Sequence, residues 1–238
     1  MESKSNKKII AIIPARGGSK GIPKKNIVNF CGKPLISWTI LAAKKSKKIS
    51  AVYVSTDSKE ISDISEKYGA EVIYRPKKIS GDSSSSEEAL KHAIEEIYKK
   101  NSEKIDYVVF LQATSPLRET ADIDNAIQKI ISEKADSLFS GAELGDFYVW
   151  KKMKNCVDSL NYDYKNRKRR QDFENQFVEN GSIYIFKPET LFKYNNRLGG
   201  KIAISDMDLW KSFEIDDMQG LEFCRLLFKT KIAGHETK

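Results

Sequence analysis

Histidine is nearly absent from this chain, with only His92 and His235 among 238 residues. His92 falls beside the apolar stripe of a helix and His235 in a polar tail. Neither a Ser-His-Asp mechanism nor a His-rich zinc centre is therefore expected. Cysteine is almost as sparse. Cys31, Cys156 and Cys224 are odd in number and far apart, which excludes a disulfide framework or a metal motif and points to a reducing cytoplasm. No stretch approaches the ~20 apolar residues of a membrane span. The apolar run after Lys7-Lys8 is cut by Pro14 and Arg16, too short and badly flanked for a signal peptide. There is no zinc-finger spacing, RNP-type aromatic motif, G-x-x-x-x-G-K-[ST] or G-x-G-x-x-G.

What the chain does have is charge. Charged residues make up 31% of it, apolar residues 40%, and the formal net charge is +8. A single domain spanning residues 1–238 can bury a full core at this length. The positive excess fits either a nucleic-acid binder or an enzyme for acidic small molecules. Because the lysines sit largely in helical stretches such as Lys44 to Lys48, where a solvated face is the usual cause, acidic substrates are favoured over nucleic acid. One stretch concentrates the charge. Ile9, Ile10, Ile12 and Ile13 read as a buried parallel strand ended by Pro14. Gly17, Gly18 and Gly21 then make a tight turn studded by Arg16, Lys20, Lys24 and Lys25. An open α/β sheet binds phosphorylated ligands at such a loop, and the competing reading is an ordinary basic surface turn.

Farther on, a helix is expected from about Leu35 to Lys47, strands at Ala51–Ser55 and Glu71–Tyr74, and a cap at Ser58. Ser84 to Glu87 and Ser85 to Glu88 have capping-box spacing before a helix carrying Leu90, Ala93, Ile94 and Ile97. The serines fit capping and ligand contact equally well. Tyr107 to Leu111 is a fourth strand, and Ile123 to Ile131 lines a helix. Ser137 to Ser140 is a fifth strand. Four βα units in a row imply an open, mostly parallel sheet with helices on both faces. From about 142 to 178 the rhythm breaks into an excursion with Phe147, Tyr148 and Trp150 and a basic run, Lys165 to Arg170. Gly181 to Phe186 resumes as a strand, Pro188 starts a short helix, and Lys211 to Asp216 approaches a last strand end. Leu221 to Phe228 closes as a helix.

The segment Ala15-Arg16-Gly17-Gly18-Ser19-Lys20-Gly21-Ile22-Pro23-Lys24-Lys25-Asn26 resembles the amino-terminal motif of the acylneuraminate cytidylyltransferases, the CMP-sialic acid synthetases. The resemblance recurs in order to about Leu221. Arg75-Pro76 and Asp82 to Ser86 are similar to the family's Arg-Pro and Asp-Thr-x-Ser-Ser segment, which lies against the cytidine. Leu111 to Arg118 is close to Leu-Gln-Pro-Thr-Ser-Pro-Leu-Arg. Arg170-Gln171-Asp172 and Asn180 to Ile185 look like its Arg-Gln and Asn-Gly-x-Ile-Tyr-Ile pair. The resemblance implies a Rossmann-like fold of the nucleotide-diphospho-sugar transferase type and a homodimer. It implies CMP transfer from CTP to the anomeric hydroxyl of an acidic nine-carbon sugar, such as N-acetylneuraminate, legionaminate or pseudaminate. Arg16, Lys20, Lys25, Asn26, Arg75, Ser84 and Ser86 would meet the nucleotide. Gln112, Arg170, Gln171 and Asn180 would face the sugar acid. Arg16, Lys25 and Asp216 would carry catalysis. The family's Asp-Ile-Asp reads Glu214-Ile215-Asp216 here, and Phe173-Glu174 stands where Leu-Pro often follows Arg-Gln.

Attack on a nucleotide α-phosphate depends on positioning and charge neutralisation more than on covalent catalysis. Glu214 and Asp216, two residues apart on a strand, would point the same way and share Mg²⁺. A solvated acidic strand end is the alternative. Arg118 is expected in a salt bridge beneath its loop, and most of Lys165 to Arg170 as solvated surface. Two other readings remain: a sugar-nucleotide-dependent glycosyltransferase using Asp206-Met207-Asp208 as its metal motif, and a basic nucleic-acid-binding protein with strongly salt-dependent affinity.

Overall fold

The computed structural model describes residues 7–100, 103–145, 147–169, 172 and 175–235. The first strand, β1 (Ile9–Pro14), lies at the heart of a seven-stranded sheet, where its β-branched residues are buried on both faces. It pairs in parallel with β4 (Ala51–Thr56) on one side and β6 (Tyr107–Leu111) on the other. Beyond β4 lies β5 (Glu71–Tyr74), also parallel. Between β1 and β4, β2 (Asn29–Phe30) and β3 (Lys33–Pro34) form a small antiparallel ribbon. On the β6 side comes β10 (Phe177–Phe186), antiparallel to both β6 and β7 (Ser137–Glu143), and then β11 (Ile202–Asp206), parallel to β7. The sheet order is β11-β7-β10-β6-β1-β4-β5. Only β10 runs against the rest.

Helices cover both faces, as continuous apolar strands require. On one face Ile36 and Ile40 of α1 (Leu35–Lys45), Ile61 of α2 (Lys59–Lys67) and Ile123 and Ile127 of α4 (Thr120–Ser132) pack on Ile13, Val54 and Val109. On the other, Leu90, Ile94 and Ile97 of α3 (Ser86–Lys100) and Leu191 of α5 (Pro188–Tyr194) pack on Ile10, Ile12 and Phe110. Both expected caps form. Ser58 accepts from the Ile61 amide, and Ser85 and Glu88 exchange hydrogen bonds with each other's backbone N–H groups. A third cluster joins Ile22, Phe30, Leu117 and Ile215 to Leu221, Cys224 and Phe228. It fastens α6 (Met218–Leu227) to the loop after β1.

Three expectations need correction. The excursion is narrower than 142–178, because Ala142 and Glu143 belong to β7 and pair with Val178 and Phe177 of β10. Within it a hairpin forms from β8 (Trp150–Lys152) and β9 (Val157–Ser159). Lys211 to Asp216 is not a strand approach. Leu209–Ser212 forms a 3₁₀ turn, and the edge strand is instead β11, whose alternation is muted by its exposed first residue. Arg118 makes no salt bridge among the described residues.

Its guanidinium, almost wholly buried, donates to the Ser182 carbonyl (2.7 Å), Ser182 Oγ (2.9 Å), Thr39 Oγ1 (2.9 Å) and the Gln112 carbonyl (3.2 Å). One cation thus ties the loop after β6 to β10 and to α1. Burial pulls its pKa down to about 10, with the negative charges of Asp122 and Glu214 opposing the fall. Removing it leaves the Ser182 and Gln112 carbonyls with only the longer bonds from the Gln112 amide (3.5 Å) and Thr39 Oγ1 (3.4 Å), and each lost charged bond is worth about 1.5–3 kcal/mol. Arg118→Met is therefore expected to lower stability by roughly 2–4 kcal/mol. Urea denaturation checks this, with Thr39→Val, which removes only one of the four acceptors, as the milder comparison.

Candidate active site

The loop leaving β1 takes its shape from hydrogen bonds to its own backbone. Asp57 Oδ1 accepts from the Gly17 amide (2.9 Å), and Asn26 Nδ2 donates to the Arg16 carbonyl (3.0 Å). Lys24 adopts a left-handed conformation, φ 53°, and pairs with Glu60 at 2.7 Å. Gly21 packs so closely on the backbone of Asp216 that a Cβ there would collide with the Asp216 carbonyl. This is the position where only glycine fits, and it brings the first loop against the Glu214-Ile215-Asp216 segment.

Two clefts open at the carboxyl ends of the parallel strands, where an α/β sheet gathers its ligands. The first, about 320 Å³, lies between that loop and the serine loop before α3. Arg16, Asn26, Arg75, Ser84 and Ser86 all line it. Arg16 donates to the Gly81 carbonyl (2.9 Å) and pairs with Asp82 (3.1 Å), which Lys20 also reaches at 2.9 Å. These cations hold the Asp82 carboxyl below its ordinary pKa, chiefly through the Lys20 hydrogen bond. Arg75 is buried, reaches the Ser55 carbonyl only at 3.4 Å, and its Nε has no partner among the described residues. Burial lowers its pKa, with the charge of Asp57 opposing the fall and that of Arg16 adding to it.

The second cleft, about 420 Å³, shares Gln112 and Tyr184 with the first and adds Asn180, Glu214 and Asp216. Here Ile215 is wholly buried, and Glu214 and Asp216 on either side of it line the cleft although they lie on a loop rather than on the expected strand. Glu214 accepts from Ser115 Oγ (3.0 Å) and Gln112 Nε2 (3.4 Å). Burial raises its pKa, helped by the charge of Asp216 and opposed by Ser115, Lys25 and Arg118. Asp216 stands at 79% side-chain exposure and pairs at 2.9 Å with Lys25, itself only 15% exposed. Gly181, at φ 67°, lets the chain pass these groups, since a Cβ there would strike Glu214 Oε1. Asn180 is buried with its amide engaged by Ser140 (2.6 Å), the Ser182 amide (3.2 Å) and Met207 sulfur (3.5 Å). It builds the cleft wall more than it offers a free group.

Arg16, Asn26, Arg75, Ser84, Ser86, Gln112, Asn180, Glu214 and Asp216 thus line the two clefts, whereas Lys20 and Lys25 line neither and reach them only through Asp82 and Asp216. Arg170 and Gln171 lie outside the described residues. Asp206 and Asp208 line neither cleft, and Asp208 accepts from Trp210 at 3.2 Å. Three site residues were not singled out from the sequence. Ser115 sat within a motif read only as a block. Tyr184 lay inside the Asn180 to Ile185 motif without being singled out, and its hydroxyl donates to Glu179. Arg197, beyond α5, belonged to no motif and lines the first cleft.

The pattern of the cytidylyltransferase family matches residues 10–224. An N-acylneuraminate cytidylyltransferase of Oncorhynchus mykiss is 38% identical over 219 residues, which cover 90% of this chain and 49% of that protein. The chain spans about half the length of the first such relatives. A pseudaminic acid cytidylyltransferase of Campylobacter jejuni is 33% identical over 237 residues, 97% of this chain and 99% of that protein. Among solved structures, CMP:2-keto-3-deoxy-manno-octonic acid synthetase complexed with CTP superposes with a TM-score of 0.70 at 17% identity, covering 94% of this chain and 100% of that one. With its sequence pattern running from strand β1 into helix α6, the chain belongs to the cytidylyltransferase family.

Proposed function

We propose that the protein transfers CMP from CTP to the anomeric hydroxyl of a nonulosonic acid and releases pyrophosphate. One observation carries this reading: a cationic cleft and a carboxylate-bearing cleft meet at Gln112 and Tyr184. The first suits a nucleoside triphosphate; the second, lined by Glu179, Glu214 and Asp216, suits a metal ion and the hydroxyl-bearing part of a sugar beside it. The relatives' names supply the substrate class. The anomeric oxygen bonds to the α-phosphorus, the bridge to the β-phosphate breaks, and the hydroxyl proton is released. Arg16, Lys20 and Lys25 neutralise the phosphates, and the loop amides fix their orientation. Ser84 and Ser86 face the nucleoside side. Gln112 faces the sugar. Arg170 and Gln171 are proposed as further sugar contacts on the motif alone.

Glu214 and Asp216 suit Mg²⁺, which takes oxygen ligands and commonly one or two carboxylates plus phosphates and waters. Both line the second cleft on either side of a buried anchor. Asp216, the exposed one, would hold the ion, with Glu214 assisting. Bound there, the ion would polarise phosphate oxygens and acidify the attacking hydroxyl. A homodimer through the excursion completes the proposal. Phe147, Val149, Trp150, Met153, Val157 and Leu160 are all exposed there, as an interface anchor requires.

Three measurements test this. Incubation with CTP, Mg²⁺ and a panel of nonulosonic acids should release pyrophosphate, and Arg16→Ala and Lys25→Ala should each lose about tenfold to a hundredfold in turnover, since a charged hydrogen bond is worth about 1.5–3 kcal/mol. Wild-type-like turnover in both would remove the phosphate role of the loop. Asp216→Asn should abolish nearly all activity while circular dichroism stays unchanged, Glu214→Gln should be milder, and Glu214→Asp should stay active. Titrating Mg²⁺ against turnover in all three checks the assignment, and an unchanged metal requirement in Asp216→Asn would move it elsewhere. Light scattering at micromolar concentration should give a dimer mass, and Trp150→Ser should shift it toward the monomer.

A further inference from the structure

Arg197 is placed by a sharp reversal. Asn195 ends α5 in the left-handed conformation, φ 51°, held by Lys91 at 2.7 Å, and Asn196 Oδ1 accepts from the Leu198 amide at 2.9 Å. The chain doubles back over the sheet, and Arg197 comes to rest on two rings. Its guanidinium carbon lies 5.1 Å from the Phe110 centroid and 4.5 Å from that of Tyr184. Those rings stack on each other at 5.5 Å and 16°. Its Nε pairs with Glu87 at 3.1 Å, with side chains only 22% and 16% exposed. A guanidinium held by an anion at one edge and by rings beneath cannot turn away. Its terminal nitrogens have no hydrogen-bond partner among the described residues, and the residue lines the first cleft.

The phosphate-facing cations Arg16, Lys20 and Lys25 all come from the loop after β1, whereas Arg197 comes from the β10–α5 side. Tyr184 beneath it borders both clefts. A fixed fork of free donors beside Tyr184, through which the first cleft opens on the second, is suited to a planar bidentate acceptor such as a carboxylate. Building on the function proposed above, we infer that Arg197 is a specificity-determining residue that receives an acceptor oxygen of the sugar acid, a carboxylate or an acyl carbonyl. Glu87 is the positioning residue that holds it.

The test is steady-state kinetics with CTP and sugar acid varied separately, for wild type, Arg197→Met, Arg197→Lys and Glu87→Gln. Two acids are compared, one bearing an acylamino group and its analogue with a hydroxyl there. KM for the sugar acid should rise about tenfold to a hundredfold in Arg197→Met, as loss of a charged hydrogen bond predicts, while KM for CTP stays within about twofold. Lysine should not restore it, because a point charge lacks the fork. Glu87→Gln should shift the same constant less, which keeps the inference testable if Arg197→Met does not fold. A rise for both acids identifies the carboxylate as the acceptor, and a rise for the acylamino acid alone identifies the carbonyl. An unchanged sugar KM, a rise in KM for CTP instead, or full rescue by lysine overturns the inference. Wild-type protein that turns over neither acid overturns the parent function and this inference with it.

Discussion

Arg118 is a buried cation held by neutral oxygens, and much of the site depends on it. The sheet departs from parallel order at one strand, β10, which must lie antiparallel between β6 and β7. At that seam the carbonyls of Gln112 and Ser182 have only long bonds besides those from Arg118, 3.4 Å from Thr39 Oγ1 and 3.5 Å from the Gln112 amide. Arg118 satisfies them, fixing the Gln112 and Ser182 carbonyls together and bracing both on Thr39 of α1. Gln112 is also where the two clefts meet, with its amide on the Gly181 carbonyl at 2.8 Å. A neutral side chain could not donate to so many acceptors from one position. The same fork geometry that makes arginine a good ligand for carboxylates makes it a good clamp for a strand junction.

The electrostatics above this clamp follow one pattern. Cations of the first loop are not left bare: Arg16 and Lys20 share Asp82, and Lys25 pairs with Asp216. Asp82 and Asp216 are both largely exposed, so these pairs are weak and exchange partners at little cost. Under the proposed function, a triphosphate entering the cleft would replace a solvated carboxylate at these cations. Arg75 behaves differently. It is buried, with Nε unpartnered, and would gain more from an arriving acceptor than an exposed lysine would.

Much of the fold was legible because its signals are local. Four apolar strands alternating with amphipathic helices, two serine caps and a glycine turn each follow from spacing alone. The first loop and the serine loop were legible for the same reason. What was not legible depended on pairing across the sheet. β11 is an edge strand whose outward residues obscure alternation, and β7 runs three residues longer because β10 returns to pair with it. Glu214 and Asp216 share a face through burial of Ile215 in a cluster built from α6 and the first loop, not through strand pleating. Arg197 has no local signature at all. Its place depends on the reversal at Asn195 and on rings from two different strands.

The two acidic side chains beside Ile215 also differ for a physical reason. Glutamate is one methylene longer than aspartate, and from a loop anchored by a buried isoleucine that length lets Glu214 reach inward to Ser115 and Gln112. Burial then disfavours its charge, and the exposed carboxylate of Asp216 disfavours it further. Asp216 is shorter, stays in solvent and keeps Lys25 as its partner. An incoming cation would relieve the repulsion between the two carboxylates and release Lys25 toward the phosphates. Metal and nucleotide binding would then reinforce each other through one lysine, because each supplies the partner that the other takes away.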